Sequence, residues 1–105
     1  MVGIYLVERY LPDIGTDELR SLADRLEDAS ARLSADGMPV RYLDSTFMPE
    51  EESCFCRFEA PSLHATALVN RLANAPYARI CAAVTFSGAL RVPAEQAPTP
   101  NPEPV

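Results

Sequence analysis

Apolar and polar positions alternate with a period of two in four short stretches of the chain and with a period of three to four in two longer ones. Residues 3–10, GIYLVERY, put Ile4, Leu6 and Glu8 on one face and Tyr5, Val7 and Arg9 on the other, because side chains along a strand point to alternate sides. Both rows stay mainly apolar until the strand ends, as expected of an interior strand covered on both sides. Residues 53–61, SCFCRFEAP, alternate until a proline stops them, with Cys54, Cys56 and Phe58 opposite Phe55, Arg57 and Glu59. The first row asks for a core. The second is unsuited to burial under a helix, yet Phe55 argues against a purely solvent-facing role. Residues 40–48, VRYLDSTFM, set Val40, Tyr42, Asp44 and Thr46 against Arg41, Leu43, Ser45 and Phe47. Aspartate is disfavoured inside a strand, so Asp44 either sits beside a partner charge or marks a bulge. Residues 80–87, ICAAVTFS, form the fourth strand, small and apolar on both faces, before Gly88 and a short extension through Leu90 and Val92.

Between the strands lie two amphipathic helices. Thr16 is the expected N-cap of the first, with Asp17 and Glu18 in the first turn where the helix dipole favours anions. Leu19, Leu22, Leu26, Ala29 and Leu33 form its apolar stripe, flanked by Ala23 and Ser30, and the pattern stops at Asp36-Gly37, too soon for a coiled coil. Ser62 caps the second helix, which runs to about Asn74 with Ala65, Leu68, Val69 and Leu72 as its buried stripe, before Pro76. Leu11 to Gly15 is a loop. Pro49-Glu50-Glu51-Glu52 is a hairpin turn whose three glutamates read as a solvated tip.

The order is β-α-β-β-α-β. Two β-α-β halves joined by a hairpin resemble the ferredoxin-like split fold, an α+β architecture in which a four-stranded antiparallel sheet carries both helices on one face. The predicted core beneath the helices holds Leu19, Leu22, Leu26, Leu33, Leu68, Leu72, Cys56 and Phe58. The first and third strands would lie centrally, leaving Tyr42, Phe55 and one apolar row of the first strand on the open face. That much apolar surface is unusual for a monomer, so a homodimer packed sheet to sheet is expected.

Composition narrows the picture. With 105 residues the chain allows one domain, placed at residues 1–92, followed by a flexible proline-rich tail at 93–105, PAEQAPTPNPEPV. The formal charge of −6 argues against nucleic acid and against an anionic membrane surface, and favours a cationic ligand. No apolar run resembles a signal peptide or a membrane span, so the expected location is cytoplasmic. Three cysteines, two of them two residues apart on one strand, do not make a disulfide framework.

Three segments then carry a family resemblance: YLVERYLP near the start, CRFEAP in the centre and NRLANAPYARI before the last strand. In order and spacing they resemble a small bacterial ferredoxin-like family that includes a nickel-binding protein. The family pattern falls on Glu8 and Arg9, on Cys56 and Glu59, and on Pro76, Arg79 and Ile80. The resemblance implies a divalent metal ion, nickel, as ligand. Relatives commonly carry a histidine where this chain has Asp44, and often another where it has Asn70, so a nickel site here would lack imidazole and bind more weakly.

No catalytic residue is assigned. His64 is the only histidine, expected to be exposed next to Ser62, and no nucleophile or orienting acid is identifiable for it. Cys54 and Cys56 are either soft metal ligands or, by their parity, small apolar core residues; the core reading is the expectation. Cys81 can face either side. The expected binding set is Glu8, Asp44, Arg57, Glu59 and Tyr42 on the open face, with Glu8, Asp44 and Glu59 as the metal-ligating carboxylates. The alternative for the first four is a structural ion-pair network anchored by Arg57. Two functions follow: a non-enzymatic binder of a metal ion or small cationic ligand, or a dimeric α+β-barrel enzyme such as a cofactor-free oxygenase or isomerase with its pocket on the same face.

Overall fold

Four strands, β1 (Gly3–Tyr10), β2 (Arg41–Met48), β3 (Ser53–Ala60) and β4 (Arg79–Ala83), form one antiparallel sheet in the order β2-β3-β1-β4. Helices α1 (Thr16–Ala35) and α2 (Leu63–Leu72) complete the expected β-α-β-β-α-β ferredoxin-like fold. The computed structural model describes residues 2–86 and Gly88. The extension through Leu90 and Val92, the domain limit at residue 92 and the proline-rich tail lie outside the described residues.

The two central strands are those with the most continuous apolar rows. On the helix-covered side Val7, Cys54, Cys56, Phe58 and Ala60 are buried, and they meet Leu22, Leu26 and Ala29 of α1 and Ala65 and Val69 of α2. The alternation in β3 is complete, with every second residue from Cys54 to Ala60 buried. Leu19, Leu33 and Leu68 are only half-buried. Leu72 departs from the predicted core: α2 ends there, and the side chain is 42% exposed. The helix instead turns Thr66 and Asn70 inward with Ala65 and Val69.

Local chemistry sets the ends of the elements. The α1 N-cap is Gly15, one residue before the expected Thr16, and Glu18 Oε1 reaches back to accept from the Gly15 N–H at 2.7 Å. At the other end Gly37 has φ 97°, a conformation glycine adopts without a Cβ penalty. It lets Met38 N–H return to the Leu33 carbonyl at 2.9 Å. Ser34 then grips both backbone groups of Val40, donating to its carbonyl at 2.8 Å and accepting from its N–H at 3.2 Å. Ser62 caps α2 as expected, accepting from Ala65 N–H at 3.0 Å.

Two strands differ from the expected pattern. β4 is shorter than expected, ending at Ala83. In β2 the pairing with β3 shifts register between Tyr42 and Asp44, a bulge that takes up Leu43. Asp44 therefore does both things open to it, sitting beside a bulge and facing Arg57.

Candidate functional site

The bulge divides the residues expected to act together. Tyr42 pairs with Phe58, and Asp44 with Arg57, so Tyr42 faces the helices and Asp44 the open side. Tyr42 is thus not an open-face residue. Its ring lies 5.5 Å from that of Phe58, centroid to centroid, and packs against the core. Burial pushes its hydroxyl above the ordinary tyrosine range, and a hydrogen bond with Ser45 partly offsets this.

Glu8, Asp44, Arg57 and Glu59 do share the open face, as strand parity requires. They do not converge. Asp44 accepts two hydrogen bonds from Arg57, from Nε at 2.9 Å and from Nη2 at 2.7 Å. This bidentate grip holds the aspartate below the usual carboxylate range. Glu8 accepts from Arg79 Nε at 2.8 Å, and Glu59 lies 3.6 Å from Arg41. Glu8 stands opposite Phe55 in the β1–β3 ladder, four residues from Glu59, which at strand rise is roughly 13 Å. The expected acidic cluster around Arg57 is replaced by three separate ion pairs. Among the described residues no group of three or more histidine, cysteine, aspartate or glutamate side chains is placed to hold a metal ion. Ile4, Leu6, Phe55 and Cys81 lie between these pairs on the same face, all partly buried; Cys81 pairs with Leu6, which settles its side. Arg57 Nη1 also donates to Thr85 Oγ1 at 3.5 Å.

A second polar constellation lies on the opposite side, where sequence reasoning placed only core. Arg9 is 1% exposed. It donates from Nη1 to the Ala75 and Pro76 carbonyls at 3.0 and 3.1 Å and from Nη2 to Asn70 Oδ1 at 2.6 Å, while Nε is buried without a partner. Asn70 is anchored in turn by donating to the Thr66 carbonyl at 2.8 Å. Arg9 pairs with Cys54 across the β1–β3 ladder, and Val7 with Cys56. Both cysteine side chains are fully buried, their sulfurs 3.8 Å apart. Ser45 Oγ lies 2.9 Å from Cys56 Sγ and 2.6 Å from the Tyr42 hydroxyl. The hydrogen bond from Cys54 draws the Cys56 thiol below its ordinary range against the cost of burial, with Arg9 and Ser45 adding to the effect; the same contact and burial push Cys54 up. The available signal was parity, since Arg9 continues the row of Tyr5 and Val7. Asn70 and Asp44, the two positions at which the resemblance implies histidine in relatives, lie on opposite sides of the sheet.

Glu52, read from sequence as part of a solvated tip, holds the β1–α1 loop. It accepts from Asp13 N–H at 2.9 Å and from the Tyr10 hydroxyl at 3.2 Å, and its backbone carbonyl accepts from Leu11 N–H at 2.7 Å. The Glu52 carboxylate raises the ionisation range of Tyr10. Beyond this loop a cleft of about 420 Å³ opens between Leu11 to Ile14, the first turns of α1 and the segment at Ala75 and Pro76. It is not on the open sheet face. His64 is exposed in the first turn of α2.

Comparison with known proteins is consistent with this architecture. The model of a family described as nickel responsive protein SCO4226-like matches residues 5–82. Among solved structures, the crystal structure of SCO4226 from Streptomyces coelicolor A3(2) superposes with a TM-score of 0.62 at 20% identity, covering 81% of this chain and 99% of that one. At that identity the likeness shows the fold. No curated protein matches the chain.

Proposed function

The chain belongs to the SCO4226-like family of nickel-responsive proteins, and from that premise we propose that it is a non-enzymatic, cytoplasmic metal-ion-binding protein, with nickel as its metal, acting as a homodimer through the open sheet face. The observation that carries the metal is the family match across residues 5–82. The open face supports the arrangement: its apolar strip of Ile4, Leu6 and Phe55 is flanked by charged pairs, a layout suited to a self-complementary interface with a polar rim. Glu8, Asp44 and Glu59 are too widely spaced on one chain to share an ion, so the ligand set is completed from the second copy. Asp44 already uses both oxygens on Arg57. A metal there displaces the guanidinium, while Glu8 offers an oxygen that Arg79 does not take.

Such a site is rich in oxygen and poor in nitrogen, which suits nickel less well than imidazole does and gives weak affinity. Calorimetric titration of nickel into the parent and into Glu8→Gln, Asp44→Asn and Glu59→Gln tests the assignment. Weak uptake by the parent that falls in the carboxamide variants is the expected result. Nickel binding that survives all three substitutions together, or that is absent from the parent at millimolar metal, overturns it. No observation among the described residues favours the enzyme alternative, since the cleft of about 420 Å³ opens at the β1–α1 loop.

A further inference from the structure

Arg9 poses a charge problem that its hydrogen bonds do not solve. A guanidinium stays protonated at any pH a folded protein meets, and this one is 1% exposed. Its acceptors are two backbone carbonyls and an amide, all neutral. No carboxylate among the described residues pairs with it. A buried charge without a counter-charge is costly. Asp13, Glu18 and Arg25 line the cleft on one side of Arg9, and inside the core two thiols lie beside it, Cys54 directly across the ladder and Cys56 at the next buried position.

We propose that Cys54 and Cys56 form a buried chelating site for a soft monovalent d10 cation of the copper(I) class, with Arg9 as its fixed counter-charge. Geometry and charge both support it. Two sulfurs 3.8 Å apart subtend an angle of about 110° at a cation bonded to each at about 2.3 Å, a thiolate bond length typical of a d10 ion. Strand parity aims both sulfurs the same way, so chelation needs no backbone movement. A disulfide is the poorer use of this pair, because positions i and i+2 of an extended strand hold their Cβ atoms wider apart than the bond accepts.

Two thiolates and one monovalent cation together carry a single negative charge that offsets Arg9. Binding forms two sulfur–metal bonds, releases the protons the sulfurs carry, and leaves the site neutral together with Arg9. A divalent ion in the same place leaves one positive charge uncompensated in the core. The site thus selects by charge as well as by the preference of thiolate for soft metals. Ser45, exposed on the edge strand and 2.9 Å from Cys56 Sγ, marks the way in and offers an oxygen as a third donor.

The test is anaerobic titration of the reduced protein with copper(I) held by the chromophoric chelator bathocuproine disulfonate, paired with X-ray absorption of the loaded protein. Expected are one copper per chain, sulfur as the dominant scatterer, and affinity weakened about 100-fold or more in Cys54→Ser and in Cys56→Ser. Cys81→Ser, on the opposite face, is expected to bind as the parent does. Failure of the parent to take copper from the chelator, oxygen or nitrogen as the dominant scatterers, or affinity unchanged in both serine variants overturns the assignment. Should either serine variant fail to fold, the scatterer identity in the parent decides. Nickel titration of the Cys54→Ser protein keeps the two metal readings separate, because the open-face carboxylates do not involve these sulfurs.

Discussion

Arg9 and Asn70 show how a single residue can be costly and still fixed in place. The arginine satisfies the Ala75 and Pro76 carbonyls and the Asn70 amide oxygen, so removing it leaves three acceptors short of a donor, two of them in buried contacts. Losing one partner of a buried polar contact costs about 1 to 3 kcal/mol, whereas replacing both partners with apolar groups of similar shape is nearly neutral. Arg9→Met is therefore expected to destabilise by about 2 to 4 kcal/mol, and Asn70→Leu by a smaller amount. The double variant should lose less than the sum of the two. Urea unfolding of the three proteins measures this; strict additivity would show that the pair does not couple. The Asp44–Arg57 pair is closer in geometry to an ideal ion pair, but its side chains are about a third and a half exposed, and such pairs contribute little.

At the scale of elements, period was the readable quantity. Complete alternation in β3 and the leucine stripe of α1 placed both correctly, because each has one face that must leave water. Leu26 and Leu72 separate what that reasoning could see from what it could not. Leu26 is fully buried in the middle of a long helix, while Leu72 stands at the end of a short one, 42% exposed. Spacing alone does not say where a helix stops covering the sheet. Leu26→Ala is expected to cost about 2 to 5 kcal/mol, and Leu72→Ala about 0.5 kcal/mol or less, read from shifts in the unfolding midpoint. Equal losses would contradict the packing described. The bulge in β2 was legible only in part: Asp44 signalled an irregularity, but Leu43 looks like any other strand residue, so nothing in the pattern marks it as the one that breaks phase. The polar cluster around Arg9 was equally hidden. Its acceptors are mostly backbone carbonyls of a distant loop, which side-chain patterns do not report.

For the whole molecule, the expected outcome is a homodimer in light scattering at tens of micromolar, and Phe55→Glu, which puts a charge in the middle of the apolar strip, should shift it toward monomer. A parent that is monomeric throughout that range would leave the open face without its proposed cover. The strand order carries a consequence for how the molecule is made. β1 lies in the middle of the sheet, hydrogen-bonded to both β3 and β4, yet it is the first strand to leave the ribosome. Until Ser53–Ala60 has been synthesised it has neither partner. Loop closure over that span must come before its ladder can form, whereas the β2–β3 hairpin closes locally and early. The last strand to emerge, β4, completes the other side. Assembly thus waits on the two ends of the domain finding each other, and a hold-up between β2 and β3 would leave the apolar rows of β1 exposed for as long as it lasts.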